Sequence, residues 1–221
     1  MIIPVSYPLT VRTPLYPNTP LPVILTLRSM EQGDSVNTRS ITLSTHSGTH
    51  VDAPCHFCNL GKTIADCLTI DTAFFPTYCF DVPKRVSERI DVSDLAGNIS
   101  QMQDAEALLI RTGWHTVRSD DPYQYCQNHP WVSEEIPAFL REQCPKLRLF
   151  GLDQISVSSV LHRADGYECH RKFLCEKRSI LLLEDLNLSD ARVKGSFRLH
   201  IYPYMIEIID GVPVIAVVEV E

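Results

Sequence analysis

No segment of the 221-residue chain approaches the apolar run of about 18 residues that a bilayer-spanning helix requires, and a composition 44% hydrophobic and 21% charged is ordinary for a soluble domain. Basic clusters are also missing. With 20 Lys and Arg against 27 Asp and Glu, a formal charge of -7, the chain is poorly suited to nucleic acid or any polyanion, and a small-molecule partner is expected. There is no internal repeat and no low-complexity tract. The opening MIIPVSYPLT lacks a basic leader followed by a long apolar core, so it reads as a first strand and the expected compartment is the cytoplasm. Eight cysteines are present, but without a secretory leader and in a chain this long they are expected mostly as buried thiols. The length favours one domain over residues 1–221.

What the chain does have is an alternation of short apolar runs. Prolines at 4, 8, 14, 17, 20 and 22 exclude a helix from the N-terminal part and leave loop and edge strand. Strand-like runs occur at Val23 to Leu27, Ser40 to Thr45, Tyr78 to Val82, Ala107 to Arg111, Leu147 to Leu152 and Ser179 to Glu184. Helical pattern is clearest over Ser133 to Leu140, with Ser133 as cap and Ile136, Phe139 and Leu140 on one face; a second helix is expected from about Leu161 to Leu174. Two last apolar runs, His200 to Ile209 and Val212 to Val220, flank Asp210-Gly211, which predicts a tight hairpin turn. The sum is a mixed α/β domain, mostly strand.

The stretch STHSGTHVDAPCHF, residues 44–57, carries the chemistry. A helix would set Asp52 away from His46 and His50, and Gly48 and Pro54 oppose one. In an extended chain His46, His50, Asp52 and His56 share parity and project to one side, while Thr49, Val51, Ala53 and Cys55 project to the other. A straight strand would separate His46 from His50 by roughly 13 Å, too far for one ion, so a bend at Gly48 is predicted. Imidazole and carboxylate suit zinc, manganese or iron, and three such ligands leave a coordination position open for catalysis. The alternatives are a polar loop whose histidines bond the backbone, and a zinc knuckle on Cys55 and Cys58. No second well-spaced cysteine pair supports the knuckle, and parity turns Cys55 away from the histidines.

This pattern, HxGTHxDxPxH over His46 to His56, resembles the signature of the cyclase-like metal-dependent hydrolases, a family that includes bacterial kynurenine formamidases and isatin hydrolases. The resemblance continues at Tyr16-Pro17, Arg111-Thr112-Gly113-Trp114, Gly151-Leu152-Asp153 with Ser156, His170-Arg171-Lys172-Phe173-Leu174 and Leu183-Glu184-Asp185-Leu186. It implies a swivelling β/β/α domain: a mixed sheet or partial barrel with flanking helices. It further implies that His46, His50, Asp52, His170 and Glu184 hold one or two divalent ions, Zn or Mn, that Asp52 can bridge two of them, and that His56 is the catalytic histidine. His162 competes with His170 for the distal ligand, and Glu184 could instead merely mark where a buried strand meets solvent. Tyr16 and Trp114 are the expected substrate contacts, Trp114 with plain core as its alternative. Where kynurenine formamidases tend to show Trp-Pro-Gly-Asp, this chain has Tyr16-Pro17-Asn18-Thr19, a departure in the substrate region.

The function implied is hydrolysis of a C–N bond in a small amide, formamide or lactam by metal-activated water, with His56 moving protons. A cyclase or dehydratase acting on a polyketide-like intermediate, or a metal-stabilised binding protein without turnover, are the rival readings. The same resemblance implies a homodimer or homotetramer.

Overall fold

A computed structural model describes residues 1–70 and 72–220. In chain order the strands are β1 (Ile2–Pro4), β2 (Val23–Arg28), β3 (Thr38–Thr42), β4 (His50–Asp52), β5 (Thr72–Asp81), β6 (Arg89–Ile90), β7 (Ala107–Arg111), β8 (Trp131–Val132), β9 (Leu149–Leu152), β10 (Leu181–Glu184), β11 (Gly195–Pro203) and β12 (Gly211–Glu219). The helices are α1 (Ile64–Cys67), α2 (Val92–Ala96), α3 (Ile99–Met102), α4 (His115–Asp120), α5 (Pro122–Gln127), α6 (Ile136–Gln143) and α7 (Arg163–Leu174). Among the described residues, no helix is long and apolar enough to cross a membrane.

Seven strands close into a mixed barrel in the order β12-β11-β5-β7-β9-β10-β4, with β4 returning to β12; β1 adds to the far end of the β12 edge that β4 occupies. The pairs β5–β7, β7–β9 and β9–β10 are parallel and the others antiparallel. Sequence explains the division. The parallel strands β7, β9 and β10 are apolar and buried on both faces, because helices must cover one side of any parallel pair. Ala107, Leu109, Leu149, Leu181 and Leu183 turn into the barrel, where Phe74, Leu199, Val214 and Val218 meet them. Leu108, Ile110, Phe150, Leu152 and Leu182 turn outward onto Ile136 and Leu140 of α6 and Phe173 and Leu174 of α7. Strands β11 and β12 alternate between buried and more exposed residues, as antiparallel strands with one wet face do.

Three expectations need correcting. Asp210-Gly211 is not a two-residue turn: β11 ends at Pro203, residues 204–210 form the connection, and Gly211 opens β12. Ser133 precedes the helix by a turn, its hydroxyl accepting from the Glu135 N–H at 3.3 Å, and α6 begins at Ile136. Not all the cysteines are thiols, since Cys58 and Cys175, 117 residues apart in sequence, form a disulfide; of the six free ones Cys79, Cys126, Cys144 and Cys169 are buried. Sequence separation hid that pair, which forms only because α7 packs beside the 3-10 turn at Pro54–His56.

Candidate metal centre and active site

The site is assembled where β4 meets β10 and α7. Antiparallel register sets His50 opposite Glu184 and Asp52 opposite Leu182, so His50, Asp52 and Glu184 share the outer face while Val51 and Leu183 fill the barrel. Gly48 has a φ of +66°, the backbone reversal the spacing demanded, and it brings the His46 ring back to within 5.1 Å of His50 between centroids. On α7 the buried residues Gly166, Cys169, His170, Phe173 and Leu174 follow one helical stripe, which aims His170 at the same point.

His50 donates from Nδ1 to the Gly48 carbonyl at 2.8 Å, which leaves Nε2 facing Asp52 Oδ1 at 3.3 Å and Glu184 Oε2 at 3.6 Å. His170 donates from Nδ1 to the Gly166 carbonyl at 2.9 Å, with Ser158 Oγ at 3.1 Å, and turns Nε2 to Glu184 Oε1 at 3.7 Å and Asp52 Oδ2 at 3.9 Å. The backbone N–H of Val157 bonds Glu184 Oε1 at 2.8 Å. Two inward nitrogens and two buried carboxylates therefore converge as acceptors, and such a set is complete only with positive charge at its centre. In the metal-free chain protons provide it. Burial opposes charge on His46 and His50, but Asp52 raises both, His46 to about 10. Asp52 itself is held well down by His46 and His50 against the burial penalty, whereas burial and the neighbouring Asp52 push Glu184 well above the usual carboxylate range. Burial drives His170 down to about 4, keeping it a neutral donor. A divalent ion would displace those protons and let Glu184 ionise, so the residues fit the metal that the motif implies.

Behind this cluster, Asp185 carries a φ of +56° and a buried carboxylate gripped by Arg118 at 2.7 Å through both Nε and Nη2 and by the Tyr125 hydroxyl at 2.6 Å. That fixes the end of β10 and with it Glu184. In front lies a cavity of about 310 Å³ whose apolar walls are Tyr16, Phe57, Ile155 and Tyr167, with His46, His50, Asp52, His56, His170 and Glu184 on its floor and rim. Phe57 stacks on His170 at 4.5 Å.

The structure thus brings together His46, His50, Asp52, His56, His170, Glu184 and Tyr16. It places Trp114 outside the cavity: the indole is buried with Tyr125, Cys126 and Ile155, and its Nε1–H donates to the Tyr125 carbonyl at 3.3 Å. The substrate contact expected of Trp114 is replaced by support of the wall from behind, through Ile155 and Tyr16. His162 stands at the N-terminus of α7, 43% exposed and stacked on Trp131 at 4.5 Å, away from the cluster. Two groups escaped sequence reasoning. Ser158 touches His170 but sits in a serine-rich loop with no pattern of its own. Asp210, whose carboxylate bonds His46 and His56, was masked by its turn-like Asp-Gly context.

With this geometry in view, the likenesses to known proteins are consistent with one another. The Cyclase family model matches residues 3–159. The chain belongs to the cyclase-like metal-dependent hydrolase family. Among curated relatives of this family, kynurenine formamidase from Bacillus anthracis is 34% identical over 192 residues, 87% of this chain and 84% of that protein. The Bacillus mycoides kynurenine formamidase is 34% identical over 190 residues, 86% and 83% of the two chains. The cyclase-like fold is shared with isatin hydrolase A from Labrenzia aggregata, at a TM-score of 0.79 and 20% identity over 99% of this chain and 93% of the other. A chain described as a metal-dependent hydrolase from Bacillus stearothermophilus superposes at 0.76 with 21% identity, covering 99% and 97%.

Proposed function

We propose that the protein hydrolyses the C–N bond of a small amide, formamide or lactam, with His46, His50, Asp52, His170 and Glu184 holding a divalent ion, Zn or Mn, and His56 carrying protons. The observation that bears this reading is the convergence of His50 and Asp52 of β4 with Glu184 of β10, toward whose carboxylates His170 of α7 turns Nε2, beside a cavity with a half-buried imidazole across from it. The kynurenine formamidase relatives support an aryl formamide or related lactam as the substrate class, and the aromatic walls Tyr16, Phe57 and Tyr167 suit a planar ring.

When bound, the ion supplies Lewis-acid polarisation of a carbonyl and a water made acidic enough to react at neutral pH. The chain's own residues do the rest. The apolar walls orient the ring and exclude bulk water, His50 and His170 stay fixed by their carbonyl partners, and His56 takes a proton on the attacking side and returns it to the departing nitrogen. Asp52 belongs to both ligand groupings, His46–Asp52–His56 and His50–Asp52–Glu184, so the first grouping would hold any second ion. Such an ion would engage His56 as a ligand. One ion per chain is therefore the form that leaves His56 free to move protons.

Incubation of the metal-loaded protein with a panel including an aryl formamide and isatin tests the reading, with release of a carboxylic acid and uptake of one water as the expected result. A ring-closed or dehydrated product would favour a cyclase, and full metal content without turnover across amides, lactones and formamides would favour a binding protein.

A homo-oligomeric assembly is part of the same proposal. Among the described residues, strands β2 and β3 pair only with each other, and every residue of β2 is exposed, including Val23, Ile24, Leu25 and Leu27. A lone two-stranded ribbon with this much apolar surface is marginal in water and calls for a cover; a monomeric mass in sedimentation would remove the idea. We place the protein in the cytoplasm, against which the Cys58–Cys175 bridge weighs. Alkylation in cells separates the two, eight thiols marking a reducing compartment and six the bridged form.

A further inference from the structure

One carboxylate outside the implied ligand set holds two of the site's imidazoles. Asp210 Oδ2 accepts from His46 Nε2 at 2.9 Å and from His56 Nδ1 at 3.0 Å, while its Oδ1 accepts from the Thr45 hydroxyl at 3.0 Å. The two rings lie 4.0 Å apart, tilted by 34°, on either side of that shared acceptor. Asp210 is itself fixed to the segment it serves, since the Ala53 N–H donates to its carbonyl at 2.8 Å and the Ile64 N–H to the Ile209 carbonyl at 3.1 Å. Next to it, Gly211 leaves room for the His46 ring: a Cβ there would stand 2.6 Å from Cε1. The start of β12 is thus shaped around the two histidines.

We propose that Asp210 is the positioning residue for His56. By accepting its Nδ1–H, the carboxylate keeps the ring in one orientation and one tautomer, with Nε2 left free to exchange protons with substrate; this rests on the hydrolase reading for what His56 does. The same oxygen accepts from His46 Nε2–H and leaves Nδ1, which faces Asp52 Oδ1 at 2.8 Å, as the nitrogen turned to the ligand cluster. The carboxylate touches neither the cluster's centre nor a substrate, and acts through the rings.

The test measures D210A, D210N, H56A and the D210A/H56A pair at saturating metal, together with nitrogen NMR of the histidine rings in metal-free protein. D210A is expected to lower kcat about 10- to 100-fold, the range for outer partners of histidine, with KM moved by less than about twofold. D210N recovers most of that loss, because its amide oxygen can accept from both rings while its NH2 donates to Thr45. The double variant is no slower than H56A alone, and the Nδ1–H form of His56 seen in the wild type is lost in D210A. Multiplying effects in the double variant, or an unchanged tautomer in D210A, overturn the role of Asp210 alone. A wild-type rate in H56A overturns the proton-carrier reading and the role proposed for Asp210 with it.

Discussion

The site has two tiers that differ in burial and in what they can do. The side chains of His50, Asp52, His170 and Glu184 are 1% to 5% exposed, while His46, His56 and Asp210 are 18%, 28% and 39% exposed. In the inner tier the distances from the imidazole Nε2 atoms to the carboxylate oxygens, 3.3 to 3.9 Å, are too long for good hydrogen bonds. On the rim the distances are 2.8 to 3.0 Å, and Asp210 accepts from both imidazoles. A buried set short of positive charge is built to hold a cation. A satisfied, half-wet set of imidazoles suits the proton transfer proposed for His56, and the two jobs need these opposite environments.

Substitution in each tier should fail in its own way. Glu184→Gln is expected to have the largest effect, lowering metal affinity beyond the about 10- to 100-fold typical of outer partners, with turnover lost in parallel; metal analysis after dialysis reads it. Retained metal would make Glu184 the end of a strand and nothing more. His56→Ala should keep full metal content and lose about 10²- to 10⁴-fold in kcat, so that content and rate separate on the rim as they cannot inside. A loss of metal there would place His56 among the ligands.

Acid lability separates the scaffold from the site. His129 is buried, bonded through Nδ1 to the Pro130 carbonyl at 2.7 Å, and burial pushes it down to about 4 from 6.5. A folded-state value depressed in this way gives stability that is present above pH 6.5 and lost as pH falls toward about 4, at most about 3 kcal/mol by linkage. Denaturant melts of metal-free protein between pH 7 and 4 should show this slope, and His129→Gln should flatten it. An equal slope in the variant would assign acid lability to the two tiers of the site. The smallest effect is expected of Gly211→Ala, whose Cβ would press on His46; overpacking of about 1–3 kcal/mol should appear as a lower melting temperature with weakened metal binding. Unchanged binding would mean that His46 moves aside freely.

Much of the site, His46 and His56 on the rim included, was legible because the signals of the His46 to His56 stretch are local. Shared parity of His46, His50 and Asp52 and the bend at Gly48, now seen at φ +66°, follow from strand geometry, whereas His170 and Glu184 were reached through the family resemblance. The apolar runs of β7 and β10 likewise announced strands buried on both faces. Asp210 was not legible, since it meets His56 across 154 residues through the pairing of β12 with β4, and nothing in Asp-Gly distinguishes a buttress from a turn. Closure of the barrel and the Cys58–Cys175 bridge are long-range for the same reason. Trp114 misled because an indole is equally apt for stacking on a ligand and for core, and only the enclosing Tyr125 and Ile155 decide.

The most direct measurement is a titration of chelator-stripped protein with Zn or Mn while the release of acid from an aryl formamide is followed. Turnover should be absent in the stripped protein and rise linearly to a break at one ion per chain. Full turnover in stripped protein, or a rate that never follows bound metal, would contradict the account.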